Sequence, residues 1–189
     1  MRGVPDEEKK RLRRVMREAQ RALPEEYVLR AGERIEARLL ALPQYRRAQS
    51  IFLYISMEKE PSTRRVLSQA LQEGKRVYVP KCVNRGEMLA IRLDSLIDLA
   101  PGSYGIPEPR TWTETAEAEE LDLILVPCVC ASPNGKRLGH GGGYYDRFLR
   151  NGAENAVCLC FHEMLRADIP MAENDVSIPT VLTEKGLFP

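Results

Sequence analysis

A long apolar run leads directly into a cluster of glycines in the second half of the chain. Residues 121–130 are LDLILVPCVC, a nearly continuous apolar segment that is typical of a strand buried on both faces of a sheet. Four glycines then fall within positions 139–143, and residues 144–150 have the composition of a short helix. The order strand, glycine-rich loop, helix indicates an α/β fold.

The glycine-rich loop at 139–143 predicts an anion site. Glycine tolerates positive φ and has no Cβ, so a ligand can approach its backbone closely. Exposed N–H groups before a helix bind phosphate, and Asp146 in the first helical turn could hold a metal beside it. The alternative is a surface turn, and the loop is not a Walker A motif because no GK[ST] closes it. We favour phosphate binding because Tyr-Tyr-Asp-Arg follows the glycines.

Apolar runs alternate with helical segments along the chain. Helices are predicted over 6–22, from Pro24 to Leu42 with Pro43 closing it, and over about 63–74. Strands are predicted over 51–56, 76–80, 88–93, 121–130, 156–161 and 178–183. This alternation predicts a three-layer α/β/α fold with a largely parallel sheet and helices on both faces. Ligands in such folds bind at the C-terminal ends of strands, where the loops after 51–56 and 121–130 lie.

The composition is that of an ordinary folded domain. With 189 residues, 43% of them hydrophobic and 29% charged, we expect one domain over residues 1–189. A net charge of +1 is too small to attract the chain to nucleic acid or to an anionic membrane. No apolar segment approaches the ~20 residues of a membrane span, and the N-terminus lacks the apolar centre of a signal peptide. We therefore expect a cytoplasmic protein with no nucleic-acid or membrane partner.

The chain has five cysteines, which are Cys82, Cys128, Cys130, Cys158 and Cys160. An odd number without a disulfide framework fits a reducing compartment. Two pairs are spaced by one residue, which places each pair on one face of a strand. A zinc site across two strands is one interpretation. Buried free thiols are the better one, because structural zinc usually has CxxC-type spacing.

The glycine-rich segment resembles the signature of a known family. Residues 137–147, RLGHGGGYYDR, are similar to the signature of the 5-formyltetrahydrofolate cyclo-ligases, also called methenyltetrahydrofolate synthetases. The family pattern is also matched by KKRLR at 9–13, by the loop at 57–63 and by GIPEP at 105–109. The resemblance extends from Lys9 to about Lys185. It implies an enzyme that uses ATP and Mg²⁺ to convert 5-formyltetrahydrofolate to 5,10-methenyltetrahydrofolate, releasing ADP and phosphate.

The implied reaction passes through a phosphorylated formyl group. The formyl oxygen attacks the γ-phosphate, N10 attacks the phosphorylated imidate, the ring closes and phosphate leaves. Such a transfer needs positioning and charge neutralisation more than a protein nucleophile. The implied partners are the small molecules 5-formyltetrahydrofolate and ATP, and we expect a monomer or a weak homo-oligomer.

The resemblance implies roles for particular residues. Those implied for ATP are Lys9, Arg13, Arg137, Gly139, His140, Gly141, Gly142, Gly143, Tyr144 and Asp146. Those implied for the folate are Met57, Glu60, Tyr104, Trp112 and Tyr145, with Glu60 accepting hydrogen bonds from the pterin ring. Asp146 and Asp175 would hold Mg²⁺. Asp168 is the alternative to Asp175, but its distance in sequence from the final strand fits the family less well. The candidate catalytic residues are Arg137, His140 and Tyr145.

Simpler interpretations exist for several of these residues. Glu60 could be an ordinary surface glutamate at a helix start. Lys9 and Arg13 lie four residues apart and could form a solvated basic face. Tyr104 and Trp112 could stack on a folate, or Trp112 could be an ordinary packing aromatic on a loop.

The loop departs from the family pattern at two positions. Where the family usually has Gly-[Arg/Lys]-Gly-Lys-Gly-Tyr-Tyr-Asp, this chain has His140 and Gly142 at the basic positions. A lysine there would place a positive charge on the transferring phosphate. Another cation could replace it, the nearest being Lys136, Arg137 and Arg147. Otherwise a protonated His140 supplies the charge, or turnover is weak.

Other functions stay open at this point. A relative that binds folate or nucleotide without catalysis would be separated from an enzyme by an activity assay. Nucleic-acid binding by the arginine-rich N-terminal helices is disfavoured by the net charge and by interleaved glutamates, and a salt titration would test it. A relative of sugar-phosphate isomerases or CoA-transferases would share the α/β layout but needs its own active-site carboxylates.

Overall fold

Short apolar runs form a twisted sheet in the computed structural model, which describes residues 4–112 and 114–189. The strands are β1 Ser50–Leu53, β2 Arg76–Asn84, β3 Glu87–Leu93, β4 Leu99–Pro101, β5 Pro107–Pro109, β6 Thr115–Ala116, β7 Leu123–Val126, β8 Cys130–Ala131, β9 Arg137–Leu138, β10 Ala156–Leu159, β11 Thr180–Leu182 and β12 Leu187–Phe188. Eight of them form the main sheet in the order β12-β11-β10-β7-β1-β2-β3-β6. β4 pairs with β5, and β8 pairs with β9, outside that sheet.

The centre of the main sheet is parallel. Strands β11, β10, β7, β1 and β2 pair in parallel, whereas β12, β3 and β6 join in antiparallel pairs toward the edges. Every residue of β1, β7 and β10 is buried, as expected of strands covered on both faces. The predicted α/β fold with a largely parallel sheet is confirmed.

Helices cover both faces of this sheet. They are α1 Val4–Arg21, α2 Glu25–Ala41, α3 Pro43–Arg47, α4 Arg64–Gln72 and α5 Tyr144–Phe148. The crossover through α4 runs from β1 to β2, and the one through α5 runs from β7 to β10 in the opposite direction. Because such crossovers are right-handed, α4 and α5 lie on opposite faces. Within the described ranges, no helix combines the length and the apolar character needed to cross a membrane.

Strands β1 and β7 lie side by side, with Phe52 paired to Ile124. The chain leaves β1 toward one edge of the sheet and leaves β7 toward the other. A crevice forms at the C-terminal ends of two strands that diverge in this way, and it is the usual ligand site of an open α/β sheet. The loops at 54–63 and 127–143 border this crevice.

Prolines explain two of the element boundaries that differ from the sequence prediction. Helix α2 ends at Ala41, and Pro43 is the first residue of α3, where its missing N–H group is not needed. The apolar run at 121–130 does not form one strand. Strand β7 ends at Val126, because Pro127 cannot donate to the ladder, and the chain resumes in the separate strand β8.

The cysteines are all free, and four of them belong to the hydrophobic core: Cys128, Cys130, Cys158 and Cys160. Burial raises the pKa of Cys130 to about 12, so its thiol is neutral at physiological pH. The interpretation as buried free thiols is confirmed.

Candidate active site

The loop after β1 holds a buried carboxylate. The Thr63 hydroxyl donates to the backbone carbonyl of Tyr54 at 2.6 Å, which folds the loop back on itself. Lys59 has a left-handed backbone conformation, with φ of 61°, and the chain turns inward at the next residue. The side chain of that residue, Glu60, is only 5% exposed, and its Oε2 accepts from the Met57 N–H at 2.9 Å. This burial excludes the interpretation of Glu60 as an ordinary surface glutamate.

The glycine-rich loop presents unused N–H groups. Gly141 and Gly143 have positive φ values of 104° and 69°, which only glycine adopts without strain. The backbone N–H groups of Gly141, Gly142 and Gly143 make no hydrogen bond within the described part of the chain. Their arrangement before α5 suits a bound anion.

Helix α1 supports this loop with arginines. Arg13 Nε donates to the Gly139 carbonyl at 2.8 Å, and Arg17 Nη2 donates to the His140 carbonyl at 2.9 Å. Burial and the neighbouring Arg17 lower the pKa of Arg13 from its ordinary value. Lys9 on the same helix is buried and forms an ion pair with Asp175. Lys9 and Arg13 therefore face the site rather than solvent.

Two aspartates lie near each other beside the loop. Asp146 Oδ1 accepts from Arg137 Nη2 at 2.9 Å and from the Val176 N–H at 3.2 Å. The second contact brings Asp175 into the neighbourhood of Asp146. Asp168 instead lies on the surface, where its side chain is 71% exposed and forms an ion pair with Lys136 at 2.5 Å.

These two carboxylates fit a magnesium ion. Mg²⁺ is usually held by one or two carboxylates and completes its octahedron with phosphate oxygens and water. The carboxylates of Asp146 and Asp175 provide hard oxygens of this kind. Across residues 4–112 and 114–189, no group of three or more His, Cys, Asp or Glu side chains is placed to hold a metal. The two aspartates alone therefore leave most of the coordination sphere for phosphates and water.

Buried polar atoms without partners lie beside the carboxylates. Arg137 is 3% exposed, and its Nε has no hydrogen-bond partner among the described residues. Its guanidinium lies 5.8 Å from the ring centroid of Tyr145. The Tyr145 hydroxyl is also buried without a partner in the described structure, and burial raises its pKa. Because buried polar groups are almost always paired, these two atoms are available to hydrogen-bond a ligand or water.

Two tyrosines form a pair at the start of helix α5. The hydroxyls of Tyr104 and Tyr144 lie 2.9 Å apart, and their rings meet edge to face at 6.2 Å. Tyr104 is 72% exposed, which leaves its ring accessible to a ligand. Trp112 is 59% exposed, and no hydrogen bond or ring contact in the described part of the chain connects it to this group. Stacking by Trp112 stays a prediction.

His140 joins the two loops. Its Nε2 lies 3.0 Å from Oε1 of Glu60, so the anion loop and the buried carboxylate are in direct contact. Two of the cations that could replace the family's lysine already have partners within the chain. Lys136 pairs with Asp168, and Arg147 donates to the carbonyls of Gly86 and Gly142.

Arg17 was not predicted as a site residue. It lies four positions after Arg13, a spacing that places both arginines on one face of α1. That spacing was the available signal in the sequence.

Comparison with known proteins shows which family the chain belongs to. The model of the 5-formyltetrahydrofolate cyclo-ligase family matches residues 5–184. A probable 5-formyltetrahydrofolate cyclo-ligase from Caenorhabditis elegans is 31% identical over 192 residues, which cover 94% of this chain and 93% of that protein. The 5-formyltetrahydrofolate cyclo-ligase of Escherichia coli K12 is 28% identical over 92% of this chain and 99% of its own.

A solved structure is similar over nearly the whole fold. The NMR structure of Aquifex aeolicus 5,10-methenyltetrahydrofolate synthetase superposes with a TM-score of 0.84 at 29% identity, covering 95% of this chain and 91% of that one. The family model, the relatives and the fold agree, and the chain belongs to the 5-formyltetrahydrofolate cyclo-ligase family.

Proposed function

We propose that the chain catalyses the ATP- and Mg²⁺-dependent ring closure of 5-formyltetrahydrofolate to 5,10-methenyltetrahydrofolate, with release of ADP and phosphate. One observation carries the proposal: His140 on the anion loop lies 3.0 Å from the buried carboxylate of Glu60. A carboxylate suits the N–H groups of a pterin, and free backbone N–H groups suit a phosphate chain. Two such subsites in contact support a reaction between a folate and a nucleotide.

In this proposal the side chains bind and orient. The N–H groups of Gly141–Gly143 would hold the phosphates, and Arg13 and Arg17 would add positive charge beside them. Asp146 and Asp175 would hold Mg²⁺, which when bound neutralises phosphate charge. Such positioning and charge neutralisation supply most of the catalysis in phosphoryl transfer.

The proposed reaction has two steps, and each forms one bond and breaks another. The formyl oxygen attacks the γ-phosphorus and ADP leaves, which gives a phosphorylated formyl group. N10 then attacks the formyl carbon and releases its proton to solvent, and the C–O bond breaks as phosphate leaves with the former formyl oxygen. Glu60 and the Tyr145 hydroxyl would orient the folate during both steps, and the buried, unpartnered state of that hydroxyl supports a ligand at this place.

A non-catalytic binding protein of the same family is the second candidate. Gly142 supports it, because this position carries no side chain that could place a charge on the transferring phosphate. The two candidates share the binding residues and differ in turnover alone.

The test follows the near-ultraviolet absorbance of methenyltetrahydrofolate after purified protein is mixed with 5-formyltetrahydrofolate and Mg-ATP. ATP-dependent growth of that band is expected. A flat trace with both ligands still bound would favour the binding protein.

Glu60→Gln should weaken folate binding and retain ATP binding. Glu58→Gln is the matched control, because Glu58 lies in the same loop but is exposed.

A further inference from the structure

The carboxylate of Glu60 has its two oxygens committed to different parts of the chain. Oε2 accepts from the Met57 N–H in the same turn, at 2.9 Å. Oε1 is covered by the His140 imidazole, which comes from a loop 80 residues away. A ligand that needs hydrogen bonds from both oxygens of this carboxylate therefore has to compete with His140 for Oε1.

The turn that carries Glu60 is attached to the end of helix α1. Gln20 Nε2 donates to the Lys59 carbonyl at 2.9 Å, and Lys59 Nζ donates to the Leu23 carbonyl at 2.9 Å. These contacts attach the turn to the C-terminal end of α1. The carboxylate is thus held in place while its partner on the other loop can change.

The backbone of His140 is fixed, whereas its imidazole is partly free. Arg17 holds the His140 carbonyl at 2.9 Å, and Arg13 holds the carbonyl of the preceding Gly139 at 2.8 Å. The imidazole is 38% exposed, against 5% for the Glu60 side chain beneath it. The next residue, Gly141, has no side chain to crowd the ring. Rotation about the side-chain bonds can therefore move the imidazole off the carboxylate without moving the loop.

We propose that His140 couples the folate and nucleotide subsites by exchanging partners. The imidazole bonds Glu60 when the folate subsite is empty, and the pterin N–H groups displace it when folate binds. The displaced imidazole then faces the anion loop that carries it and donates to a bound phosphate. This inference rests on the proposed function, because it takes the ligand of Glu60 to be a folate.

Coupling of this kind has a measurable consequence. A group that binds one partner in the folate-free state and another in the folate-bound state makes the affinities of the two ligands depend on each other. Folate should tighten nucleotide binding, and nucleotide should tighten folate binding by the same factor. We expect that factor to be about fivefold or more, the lower end of the usual range.

The experiment is titration calorimetry of a non-hydrolysable Mg-ATP analogue, with and without saturating 5-formyltetrahydrofolate. His140→Leu should retain both ligands, bind folate at least as tightly as the unaltered chain, and reduce the coupling factor to within about twofold of one. His140→Gln keeps an N–H donor and should restore part of the coupling. His162→Gln is the matched control, because His162 is the other histidine of the chain and contacts Phe188 rather than the crevice.

A second measurement observes the imidazole directly. In protein labelled with ¹⁵N-histidine, the Nε2 resonance of His140 should shift on addition of folate alone, while that of His162 should stay in place. The His162→Gln variant assigns the two signals. A folding check by circular dichroism accompanies each variant.

Three outcomes would overturn the coupling. One is an unchanged coupling factor in His140→Leu. Another is a loss of folate affinity in His140→Leu as large as in Glu60→Gln, which would make His140 a folate ligand rather than a competitor. The third is a His140 resonance that does not respond to folate. If the unaltered chain binds no folate, the proposed function fails and the coupling fails with it.

Discussion

The guanidinium of Arg137 lies 2.9 Å from the carboxylate of Asp146, and only 3% and 24% of their side-chain surfaces are exposed. A charge buried as deeply as that of Arg137 depends on its partner for compensation. Asp146 therefore stabilises the folded chain in addition to its proposed role as a ligand of Mg²⁺.

Asp146→Asn is expected to abolish Mg-ATP-dependent turnover and to lower the free energy of unfolding. The cost should be about 2–4 kcal/mol, because the variant leaves the Arg137 charge without its partner. Urea unfolding measures the stability, and the absorbance assay measures turnover at a temperature at which the variant is folded. Unchanged turnover in the folded variant would refute the metal assignment.

Asp175→Asn and Asp168→Asn form a matched pair, because one aspartate contacts the site and the other lies on the surface. Asp175→Asn should raise the Mg²⁺ concentration for half-maximal turnover at least about tenfold, since even the outer partners of a metal are worth 10- to 100-fold. Asp168→Asn should leave it within about twofold. A titration of activity against Mg²⁺ decides between them, and the reverse order of effects would exchange the two assignments.

The pattern of helices and strands could be predicted because the central strands are apolar runs buried on both faces. Strands β1, β7 and β10 are of this kind. The short strands β8 and β9 could not be predicted, because two residues carry no periodicity. The strand order was also beyond prediction, since pairing depends on contacts between segments distant in the chain.

The candidate site residues could be named from the sequence, but the contacts they make could not. Glu60 and His140 belong to separate sequence motifs. They come together because β1 and β7 are neighbours in the sheet, so the loops that follow these strands lie side by side. Lys9 and Arg13 of α1 were expected to bind ATP. In the structure Arg13 and Arg17 hold carbonyls of the glycine-rich loop, a contact that depends on how α1 packs and not on its own sequence.

Asp122 joins the start of β7 to the start of β1 by hydrogen bonds, and the stability that these bonds contribute should depend on pH. It accepts from the N–H groups of Gln49 and Ser50 at 2.8 and 2.9 Å. Partial burial alone would raise the pKa of Asp122, but these hydrogen bonds outweigh it and lower the pKa. A lowered pKa in the folded state contributes stability above the unfolded value of about 3.9 and loses it as pH falls through the folded value.

Asp122→Asn should therefore cost on the order of 1 kcal/mol at pH 7, a small value because the side chain is well solvated. The difference from the unaltered chain should shrink as the pH falls below about 4. Thermal unfolding at both pH values measures it. Asp94→Asn is the control, since Asp94 pairs with Arg92 at the exposed surface. A cost that does not change with pH would mean that the carboxyl charge is not the cause.

Tyr145→Phe should raise the stability of the free protein and lower its affinity for folate. The hydroxyl is buried without a partner in the described structure, so its removal should stabilise the free protein by about 1 kcal/mol or more. If the hydroxyl bonds the folate, the variant should bind folate about tenfold more weakly, because a hydrogen bond in a buried site is lost. Thermal unfolding without ligand and folate titration separate the two effects. If the variant is more stable but binds folate with unchanged affinity, the Tyr145 hydroxyl does not bond the folate.

Gly142 is the position at which the missing lysine can be restored, but the structure adds a steric condition. A Cβ on Gly142 would lie 2.5 Å from the ring of Tyr144, so any side chain there requires that ring to move. Gly142→Ala isolates this steric effect, and Gly142→Lys adds the charge to it. We expect the lysine variant to exceed the alanine variant in kcat by about tenfold or more, as a well-placed charge on the transferring group is worth several kcal/mol. Both variants are assayed at saturating folate and Mg-ATP, so that binding does not obscure the comparison. Equal kcat values would mean that another group of the site, such as Arg13, Arg17 or the displaced His140, already supplies the interaction that the loop lacks at Gly142.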